Sequence, residues 1–277
     1  MKAAYLGPHG SFSEEAALKT FTSKKVDWQL CDSILEVLEA VGDQEVDRGI
    51  VPIENSIEGT INITADGLLS NGLFIESEII FPVSLHLLTN EGAVQFDIQE
   101  VWSIPPALAQ CKKYIRETKV KTRDFDSTSS AAKAVKESGR TDVAAIGSRS
   151  AASLFGLQVV EETVQDHLQN HTRFVVVRKK ENINTSQCHM NSKMMLLIEP
   201  SLDQSGVLSA ILNVFSALSI NLTWIESRPT KKKLGTYHFF IEAETGFDET
   251  RVAKALTILR AFGHEVEVLG SYNTVKL

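Results

Sequence analysis

The sequence has little of what marks secreted, membrane-spanning or nucleic-acid-binding proteins. Its three cysteines lie far apart without metal-ligand spacing, which argues against a disulfide framework and favours a reducing compartment. No apolar run approaches the roughly 20 residues of a membrane helix, and the N-terminal segment lacks the apolar core of a signal peptide. The net charge of -7 argues against non-specific binding to nucleic acid. We therefore expect a soluble cytoplasmic protein with no metal and no membrane or nucleic-acid partner.

The 277 residues, 43% of them hydrophobic and 23% charged, suffice for two or three compact domains. Short apolar runs alternate with helical patterns as far as residue 177, which predicts an α/β region with mostly parallel sheets. A polar stretch without periodicity follows, and after it the pattern predicts the βαββαβ order of a ferredoxin-like domain. We expect a catalytic region at 1–180, a linker at 181–192 and a small domain at 193–277.

Several predicted strands of the first region end in turns rich in Gly, Ser, Thr or Asn, and a helix is expected after each turn. Ser11 with Glu14, and Asn55 with Glu58, have the spacing of a helix cap, and the second pair predicts a helix over 57–69. Ligands of open parallel sheets bind at the carboxyl ends of strands, where helix N-termini offer unpaired N–H groups. Any one of these turns is more simply explained as a helix cap, but taken together they indicate a cleft for an acidic small molecule.

Motifs spread over almost the whole chain carry a family resemblance. These are LGPHGSFS at 6–13, VPIENSIEGT at 51–60, SIPPALAQC at 103–111, Thr172-Arg173-Phe174, SGVL at 205–208 and IESRP at 225–229. In this order they resemble the prephenate dehydratases, the last two resembling the phenylalanine-site motifs of that family's ACT domain. The resemblance implies a catalytic region of two lobes like a periplasmic binding protein, and a C-terminal ferredoxin-like ACT domain. It further implies conversion of prephenate to phenylpyruvate without a cofactor, inhibition by L-phenylalanine, and a homodimer or homotetramer.

The resemblance also assigns residues by position. The expected catalytic residues are Glu54, Asn55, Ser103, Gln110, Thr172 and Arg173. Residues expected to contact the substrate are Ser11, Phe12, Ser56 and Phe174. The expected phenylalanine contacts are Gly206, Val207, Leu208, Asn221, Leu222, Glu226 and Ser227.

The sequence departs from the family pattern in the third motif and in the ACT domain. Ile104 and Pro106 stand where His and Gln are usual, so those two side chains are not expected to be needed for chemistry. Ser205 and Val207 replace the usual Pro and Ala, and these changes could alter affinity for the effector.

Within this family reading, the residue types suggest roles. The planar guanidinium of Arg173 suits a carboxylate, and we assign it, as a hypothesis, to the retained pyruvyl carboxylate of the substrate. Thr172 is expected to donate a hydrogen bond to the departing hydroxyl. Glu54 could be an acid with a raised pKa, or could hold Asn55 or a helix end in place. Asn55, Ser103 and Gln110 would orient the substrate as neutral donors.

Other functions remain open at the level of sequence. The same lyase chemistry on arogenate is the nearest alternative. A non-catalytic, amino-acid-responsive binding module is another, although it would not need Thr172, Arg173, Asn55 and Gln110 together. We expect no chorismate mutase segment before the first strand, which begins by residue 3.

Overall fold

Two sheets organise the fold. The computed structural model describes residues 1–21, 25–180, 192–201, 204–244 and 249–277. Within these ranges one sheet has eleven strands and the other has five. The first five strands in the chain belong to the larger sheet, the next five form the smaller sheet, and the last six belong to the larger sheet again. The first region therefore has the two lobes that the family resemblance implies.

The first lobe is built on the N-terminal part of the larger sheet. Its elements are β1 (Lys2–Leu6), α1 (Phe12–Thr20), β2 (Asp27–Cys31), α2 (Ile34–Gly42), β3 (Arg48–Asn55), β4 (Gly59–Thr60), α3 (Asn62–Ser70), β5 (Leu73–Pro82) and β11 (His171–Lys179). Strand β1 pairs in parallel with β2 and β3, whereas β11 runs antiparallel to β3 and β5. The sheet is mixed rather than mostly parallel, because β11 follows an excursion through the second lobe and not a helical crossover.

The second lobe carries the five-stranded sheet. Its elements are β6 (His86–Thr89), β7 (Glu100–Ser103), α4 (Pro105–Gln110), α5 (Lys112–Thr118), β8 (Lys121–Asp124), α6 (Thr128–Ser138), β9 (Val143–Gly147), α7 (Arg149–Phe155) and β10 (Gln158–Glu161). The extended stretch predicted over 74–88 is two strands, β5 and β6, that belong to different sheets. Residues 83–85 therefore cross between the lobes. The helix predicted over 107–117 is divided into α4 and α5 at Cys111, whose backbone leaves the helical conformation.

The C-terminal part follows the predicted βαββαβ order. Its elements are β12 (Lys193–Glu199), α8 (Val207–Ala217), β13 (Leu222–Pro229), β14 (Tyr237–Glu244), α9 (Glu249–Ala261), β15 (Glu265–Tyr272) and β16 (Thr274–Lys276). The four strands β12 to β15 pair antiparallel in the order β13-β14-β12-β15. The fold class predicted from the sequence is confirmed. Most of the predicted linker lies outside the described residues, and the three domain boundaries stay a prediction.

The C-terminal sheet continues the sheet of the first lobe. Gly270 of β15 pairs with Ile75 of β5, and β16 also pairs with β5. A side chain at position 270 would place its Cβ 2.6 Å from the Cβ of Ile75, so only glycine permits this close approach. Trp224 and Tyr272 of the C-terminal part share one buried cluster with Val175 of the first lobe. The C-terminal part and the first lobe therefore share a hydrophobic core.

Serine residues begin several of the helices, as predicted for the turns. The hydroxyls of Ser11 and Ser148 accept hydrogen bonds from the backbone two or three residues into α1 and α7, and Ser127 with Ser130 forms a capping box on α6. The helix predicted to follow Asn55 is an exception. It begins at Asn62, because residues 59–60 form the short strand β4 first.

Candidate active site

Thr172 and Asn55 face each other across two adjacent strands. In the antiparallel pairing of β11 with β3, Thr172 lies opposite Asn55 and Arg173 lies opposite Glu54. Directly after Arg173 the pairing register shifts. A β-bulge of this kind turns side chains away from their regular direction and is common beside active sites. Two motifs separated widely in the chain thus meet at one point.

The amide of Asn55 organises the polar groups at this point. Its Nδ2 lies 3.0 Å from Thr172 Oγ1, 2.9 Å from Asn170 Oδ1 and 3.2 Å from the carbonyl oxygen of His171. Its Oδ1 accepts hydrogen bonds from the backbone N–H groups two and three residues further on, at 2.9 Å and 3.0 Å. Because an N–H of the amide occupies a lone pair of Thr172 Oγ1, the threonine's own O–H can donate elsewhere.

The hydrogen bonds continue from the first lobe into the second. Asn170, which is 1% exposed, donates from Nδ2 to Gln110 Oε1 at 2.8 Å. Gln110 in turn donates from Nε2 to Glu58 Oε1 at 3.1 Å. Gln110 lies at the end of α4 in the second lobe, so this chain of amides bridges the cleft between the lobes. Asn170 and Glu58 were not predicted as site residues, although both stand within or beside the motifs that carry the resemblance.

Arg173 is surrounded by three carboxylates. Its Nη1 donates to Glu54 Oε2 at 2.7 Å, and its Nη2 donates to Glu242 Oε2 at 2.5 Å. Its Nε lies 2.7 Å from Glu78 Oε1, close enough for an ion pair, but the N–H does not point at that oxygen and has no hydrogen-bond partner among the described residues. Burial opposes the charge of Arg173, yet Glu242 and Glu78 outweigh it and raise the pKa of the guanidinium.

A second cation completes this group of charges. Lys193 Nζ lies 2.9 Å from Glu78 Oε2 and 3.1 Å from Glu242 Oε1. Tyr272 donates its hydroxyl to Glu242 Oε2 at 2.5 Å. Burial would raise the pKa of Glu242, but Arg173 and the hydrogen bonds that it accepts lower it. Burial and the neighbouring Glu242 raise the pKa of Tyr272 well above its ordinary value. We call Arg173, Lys193, Glu54, Glu78 and Glu242 the ion cluster.

This geometry bears on two sequence-based hypotheses. Each nitrogen of Arg173 already has a carboxylate beside it, and the side chain is 14% exposed. Pairing with a substrate carboxylate would require one of these partners to be exchanged, so that role stays a prediction. Glu54 pairs with Arg173. This contact is neither of the two roles considered for Glu54, an acid with a raised pKa or a support for Asn55 or a helix end, and both stay predictions.

Three of the remaining predicted site residues, Phe12, Ser56 and Ser11, lie at different places in the lobes. Phe12 packs against buried clusters of both lobes and so lies between them. Ser56 is exposed beside the site and accepts a hydrogen bond from the backbone N–H of His171 at 3.0 Å. Ser11 is the cap of α1.

Ser103 and Phe174 are not brought to the cleft surface. Ser103 is fully buried and donates its hydroxyl to the carbonyl oxygen of Ile146 at 2.7 Å. Phe174 is 1% exposed and packs edge-on against Phe81 in the core of the first lobe. As placed, neither side chain is open to a ligand, and a role for them in substrate binding stays a prediction.

The glycine turn after β1 joins the lobes rather than standing open. Ser148 at the start of α7 donates to the carbonyl oxygen of Gly10 at 2.9 Å, and Ser129 donates to that of His9. Glu14 fixes the turn from inside, accepting hydrogen bonds from the N–H of Gly10 at 2.6 Å and from the Tyr5 hydroxyl at 2.8 Å. Burial tends to raise the pKa of Glu14, but its hydrogen bonds with His9, Gly10 and Tyr5 lower it overall. Three of the predicted ligand-facing turns therefore also form the contact between the lobes.

The residues predicted to bind phenylalanine lie at two places in the C-terminal part. Gly206 precedes α8 with a φ of +86, a conformation that favours glycine. Val207, Leu208 and Leu222 pack at the margin of the core under α8 and α9. The others lie on or just before the edge strand β13, and they are Asn221, Glu226 and Ser227.

A cavity of about 200 Å³ opens next to the start of α8, and Val207 and Lys232 are among its lining residues. Val207 is the predicted phenylalanine contact that lines this cavity. Strand β13 is also tied to the first lobe, since Arg228 donates to both carboxylate oxygens of Asp66 in α3, at 2.9 Å and 3.1 Å.

Neither a metal centre nor a membrane helix is evident in the ranges that the structure covers. In the described part of the chain, no three His, Cys, Asp or Glu side chains are placed to hold a metal ion. The buried glutamates of the ion cluster are neutralised by Arg173 and Lys193 instead. None of the helices in those ranges has the length and apolar character needed to cross a membrane.

Comparison with known proteins agrees with this architecture. The prephenate dehydratase family matches residues 3–182, and the ACT domain family matches residues 201–261. The chain belongs to the prephenate dehydratase family. Prephenate dehydratase of Bacillus subtilis is 35% identical, with both chains covered over 100% of their length. An arogenate dehydratase/prephenate dehydratase of Arabidopsis thaliana is 33% identical over 98% of this chain and 72% of the relative. Members of this dehydratase family are lyases, and so is this enzyme.

Solved structures of the family share the whole fold. Prephenate dehydratase of Staphylococcus aureus matches with a TM-score of 0.88 at 35% identity, covering 99% of this chain and 100% of the other. Prephenate dehydratase of Arthrobacter aurescens in complex with L-Phe matches with a TM-score of 0.87 at 30% identity, covering 99% and 90%. A protein described as a quorum quenching acylase, GqqA, also matches with a TM-score of 0.87 at 26% identity, covering 99% and 98%. The fold alone therefore does not fix the reaction.

Proposed function

We propose that this enzyme is a prephenate dehydratase, which converts prephenate to phenylpyruvate in phenylalanine biosynthesis. The observation that carries the proposal is the hydrogen bond from Asn55 Nδ2 to Thr172 Oγ1 at 3.0 Å. It fixes the threonine oxygen as an acceptor, so its O–H is directed away from Asn55 and can donate to a substrate in the cleft. A positioned neutral donor is what a departing hydroxyl requires.

The reaction balances without a cofactor. The bond between the ring and its carboxylate breaks and releases CO2, and the electron pair moves into the ring. The bond from the ring to its hydroxyl then breaks, and the hydroxyl leaves with one proton as water. The product ring is aromatic, which drives the reaction. The protein has to hold the dianion, exclude water and supply a hydrogen bond to the leaving oxygen.

Thr172 acts in this proposal through its position rather than through acidity. A threonine hydroxyl is a weak acid in water, but a hydrogen bond aimed at developing charge in a dry cleft is worth about 10²- to 10³-fold in rate. Thr172 keeps its proton, and the departing hydroxide takes up one proton supplied by solvent, so the net reaction consumes one proton. Asn55, Asn170 and Gln110 keep the donor in place from both lobes.

The test is phenylpyruvate formation from purified prephenate by the wild-type enzyme and by Thr172→Ala and Thr172→Ser variants. We expect Thr172→Ala to reduce kcat about 10²-fold or more, because the donor is lost. Thr172→Ser keeps the hydroxyl and should retain most of the activity. Full activity of Thr172→Ala would refute the role of this hydroxyl, and an inactive wild-type enzyme would refute the function.

Arogenate is a second candidate substrate, because dehydratases named for arogenate are among the relatives. The two substrates differ where prephenate has a keto group and arogenate an amino group. Parallel assays with both compounds decide between them, since the ratio of the two kcat/KM values measures the preference. Faster conversion of arogenate would move the assignment to arogenate dehydratase.

An acylase activity is less well supported by the site. Acyl transfer needs a nucleophile activated by a base within hydrogen-bond reach. Among the described residues, the hydrogen-bond partner of Thr172 Oγ1 is the Asn55 amide, which cannot accept its proton. Absence of hydrolysis of a simple N-acyl amide by the wild-type enzyme would agree with this argument, and its hydrolysis would contradict it.

The proposal also includes inhibition of the enzyme by L-phenylalanine. It is supported by the ACT domain and by the L-Phe complex of the Arthrobacter aurescens relative. The predicted contacts are those around Gly206 and along β13, shared between subunits of a homodimer or homotetramer. Titration of the activity with L-phenylalanine, together with sedimentation analysis, tests both statements. A cytoplasmic location, inferred from cysteine usage, also stays a prediction.

A further inference from the structure

The ion cluster lies where the catalytic strands meet the C-terminal sheet. Glu54, Glu78 and Arg173 come from the adjacent strands β3, β5 and β11 of the first lobe. Lys193 and Glu242 come from β12 and β14 of the C-terminal part. The cluster is therefore a direct contact between the residue that follows Thr172 and the ACT domain.

Charge and burial make this contact specific. The cluster contains two cations and three carboxylates, and the side chains of Glu78 and Glu242 are 0% exposed. Lys193 touches these same two glutamates, so both cations share them. Leaving a buried charge without its partner costs much free energy. The carboxylates therefore fix the orientation of the Arg173 guanidinium.

Among the described residues, Glu242 accepts hydrogen bonds from two hydroxyls, whereas Glu78 accepts one, from Thr274. Tyr272 donates to Glu242 Oε2, and Thr223 donates to Glu242 Oε1. Both of these donors belong to the C-terminal part. The ACT sheet therefore fixes the position of the acceptor for Arg173 Nη2, whereas the catalytic lobe supplies the acceptor for Nη1.

Arg173 is connected to both strands that carry the Thr172–Asn55 pair. Its backbone follows Thr172 in β11, and its Nη1 holds Glu54, the residue before Asn55 in β3. The register shift lies directly after Arg173, so the ladder between β3 and β11 is irregular here, whereas β11 stays in regular register with β5 on its other side. The guanidinium ties the two strand ends together across the bulge.

We propose that Glu242 of the ACT domain is a positioning residue for catalysis, which holds Arg173 and thereby the Thr172–Asn55 pair in working geometry. The ACT domain is then a structural part of the active site as well as a regulator. The catalytic part of this proposal rests on the proposed dehydratase function. Its structural part, that Glu242 orders the ends of β3 and β11, can be measured without substrate.

The variant Glu242→Gln tests the proposal in the full-length enzyme. It keeps the size of the side chain and leaves two cations beside two carboxylates, so the charge balance of the buried cluster does not worsen. The matched control is Asp66→Asn, which removes the pair with Arg228 between the same two parts of the molecule without touching the ion cluster. For all three proteins we would measure kcat, KM, thermal midpoint and amide hydrogen exchange.

We expect Glu242→Gln to lower kcat about ten- to hundredfold, since a misplacement of about 1 Å at a reacting group can cost this much. KM should change less than about threefold, because on this account Arg173 does not touch the substrate. Amide exchange should rise over residues 50–56 and 171–175. Asp66→Asn should keep the wild-type kcat and the wild-type exchange in these segments.

Three outcomes would overturn the proposal. One is wild-type kcat and exchange in Glu242→Gln. Another is a change in KM at constant kcat, which would instead favour direct binding of a substrate carboxylate by Arg173. A third is an equal loss of kcat in Asp66→Asn, which would mean that any weakening of the domain contact suffices.

Two further arms keep the test decisive. If Glu242→Gln does not fold, Tyr272→Phe takes its place, because it leaves the carboxylate but removes a hydroxyl that fixes it, and a severalfold fall in kcat is then expected. An inactive wild-type enzyme would refute the proposed function. Even then the exchange data decide whether Glu242 orders the two strand ends.

Discussion

Replacing Asn55 with aspartate reverses the polarity of the hydrogen bonds at the centre of the site while leaving its shape. The amide Nδ2 faces three oxygens, those of Asn170, His171 and Thr172, at 2.9 to 3.2 Å. In Asn55→Asp an oxygen occupies this place, and it cannot donate. The two backbone N–H groups bound to Oδ1 are kept, so the turn after β3 should persist.

The expected loss of stability follows from counting these groups. Asn170 Oδ1 loses its donor and faces a carboxylate oxygen, whereas the carbonyl oxygen of His171 keeps the hydrogen bond from the backbone N–H of Ser56 at 2.9 Å. At about 1–3 kcal/mol for an unsatisfied buried group, the free energy of unfolding should fall by roughly 1–3 kcal/mol. Asn170 could relieve the contact by rotating its amide, but its oxygen would then face Gln110 Oε1, to which Nδ2 now donates.

The expected loss of activity is larger. Thr172 Oγ1 accepts from Asn55 in the wild-type enzyme, whereas the carboxylate would draw the threonine O–H toward itself and away from the cleft. Loss of a positioned donor lowers kcat about 10²- to 10³-fold. The assay is phenylpyruvate formation from prephenate, with urea unfolding on the same samples. Asn71→Asp is the control, because Asn71 also donates from Nδ2, at the end of α3, but lies outside the site. A kcat of Asn55→Asp within threefold of wild type would refute the assignment of Thr172 as the donor.

Three further predictions concern the core, the domain contact and the thiols. Phe174→Ala should cost about 3–5 kcal/mol in urea unfolding because Phe174 is buried; an unchanged stability with weaker prephenate binding would contradict this. The hydrogen bonds from Arg228 lower the pKa of Asp66. Asp66→Asn should therefore cost about 0.5–1 kcal/mol above about pH 4, a deficit that shrinks as acid protonates Asp66; a constant deficit between pH 7 and pH 3 would contradict it. Burial raises the pKa of Cys31, and that of Cys111 to about 12, so site-resolved alkylation at pH 8 should leave both unmodified until the protein unfolds.

Local chemistry was well predicted from the sequence. The cap at Ser11 depends on a side chain and a backbone group three residues apart, so their spacing in the chain is sufficient evidence. The βαββαβ order of the C-terminal part is also a local pattern of apolar periods. Asn55 shows the limit of this reasoning, since its spacing to Glu58 suggested a helix cap. The same hydrogen bonds close a turn before β4 instead.

The ion cluster could not be predicted from local patterns. Glu242 is 69 residues from Arg173, and Glu54 is 119 residues away, so no spacing rule connects them. In the strand sequence FFIEAE an alternating glutamate reads as facing solvent, yet Glu242 is fully buried because the C-terminal sheet is laid against the first lobe. Glu242 comes beside Arg173 only when the C-terminal sheet is placed against the first lobe, whereas Glu54 and Glu78 reach it from the neighbouring strands β3 and β5.

The alternation of side chains along β11 explains why one short motif serves three purposes. Phe174 and Val176 lie in the core beneath α1, whereas Val175 and Val177 lie in the core shared with the C-terminal sheet. Successive residues of a strand point to opposite faces, so Arg173 belongs to the face of the ACT domain and Thr172 to the other face. The side chain assigned to the cleft and the side chain that contacts the ACT domain are thus neighbours on one strand. A shift of the C-terminal sheet that moves Glu242 would reach Thr172 through a single residue, without any change in the rest of the catalytic lobes.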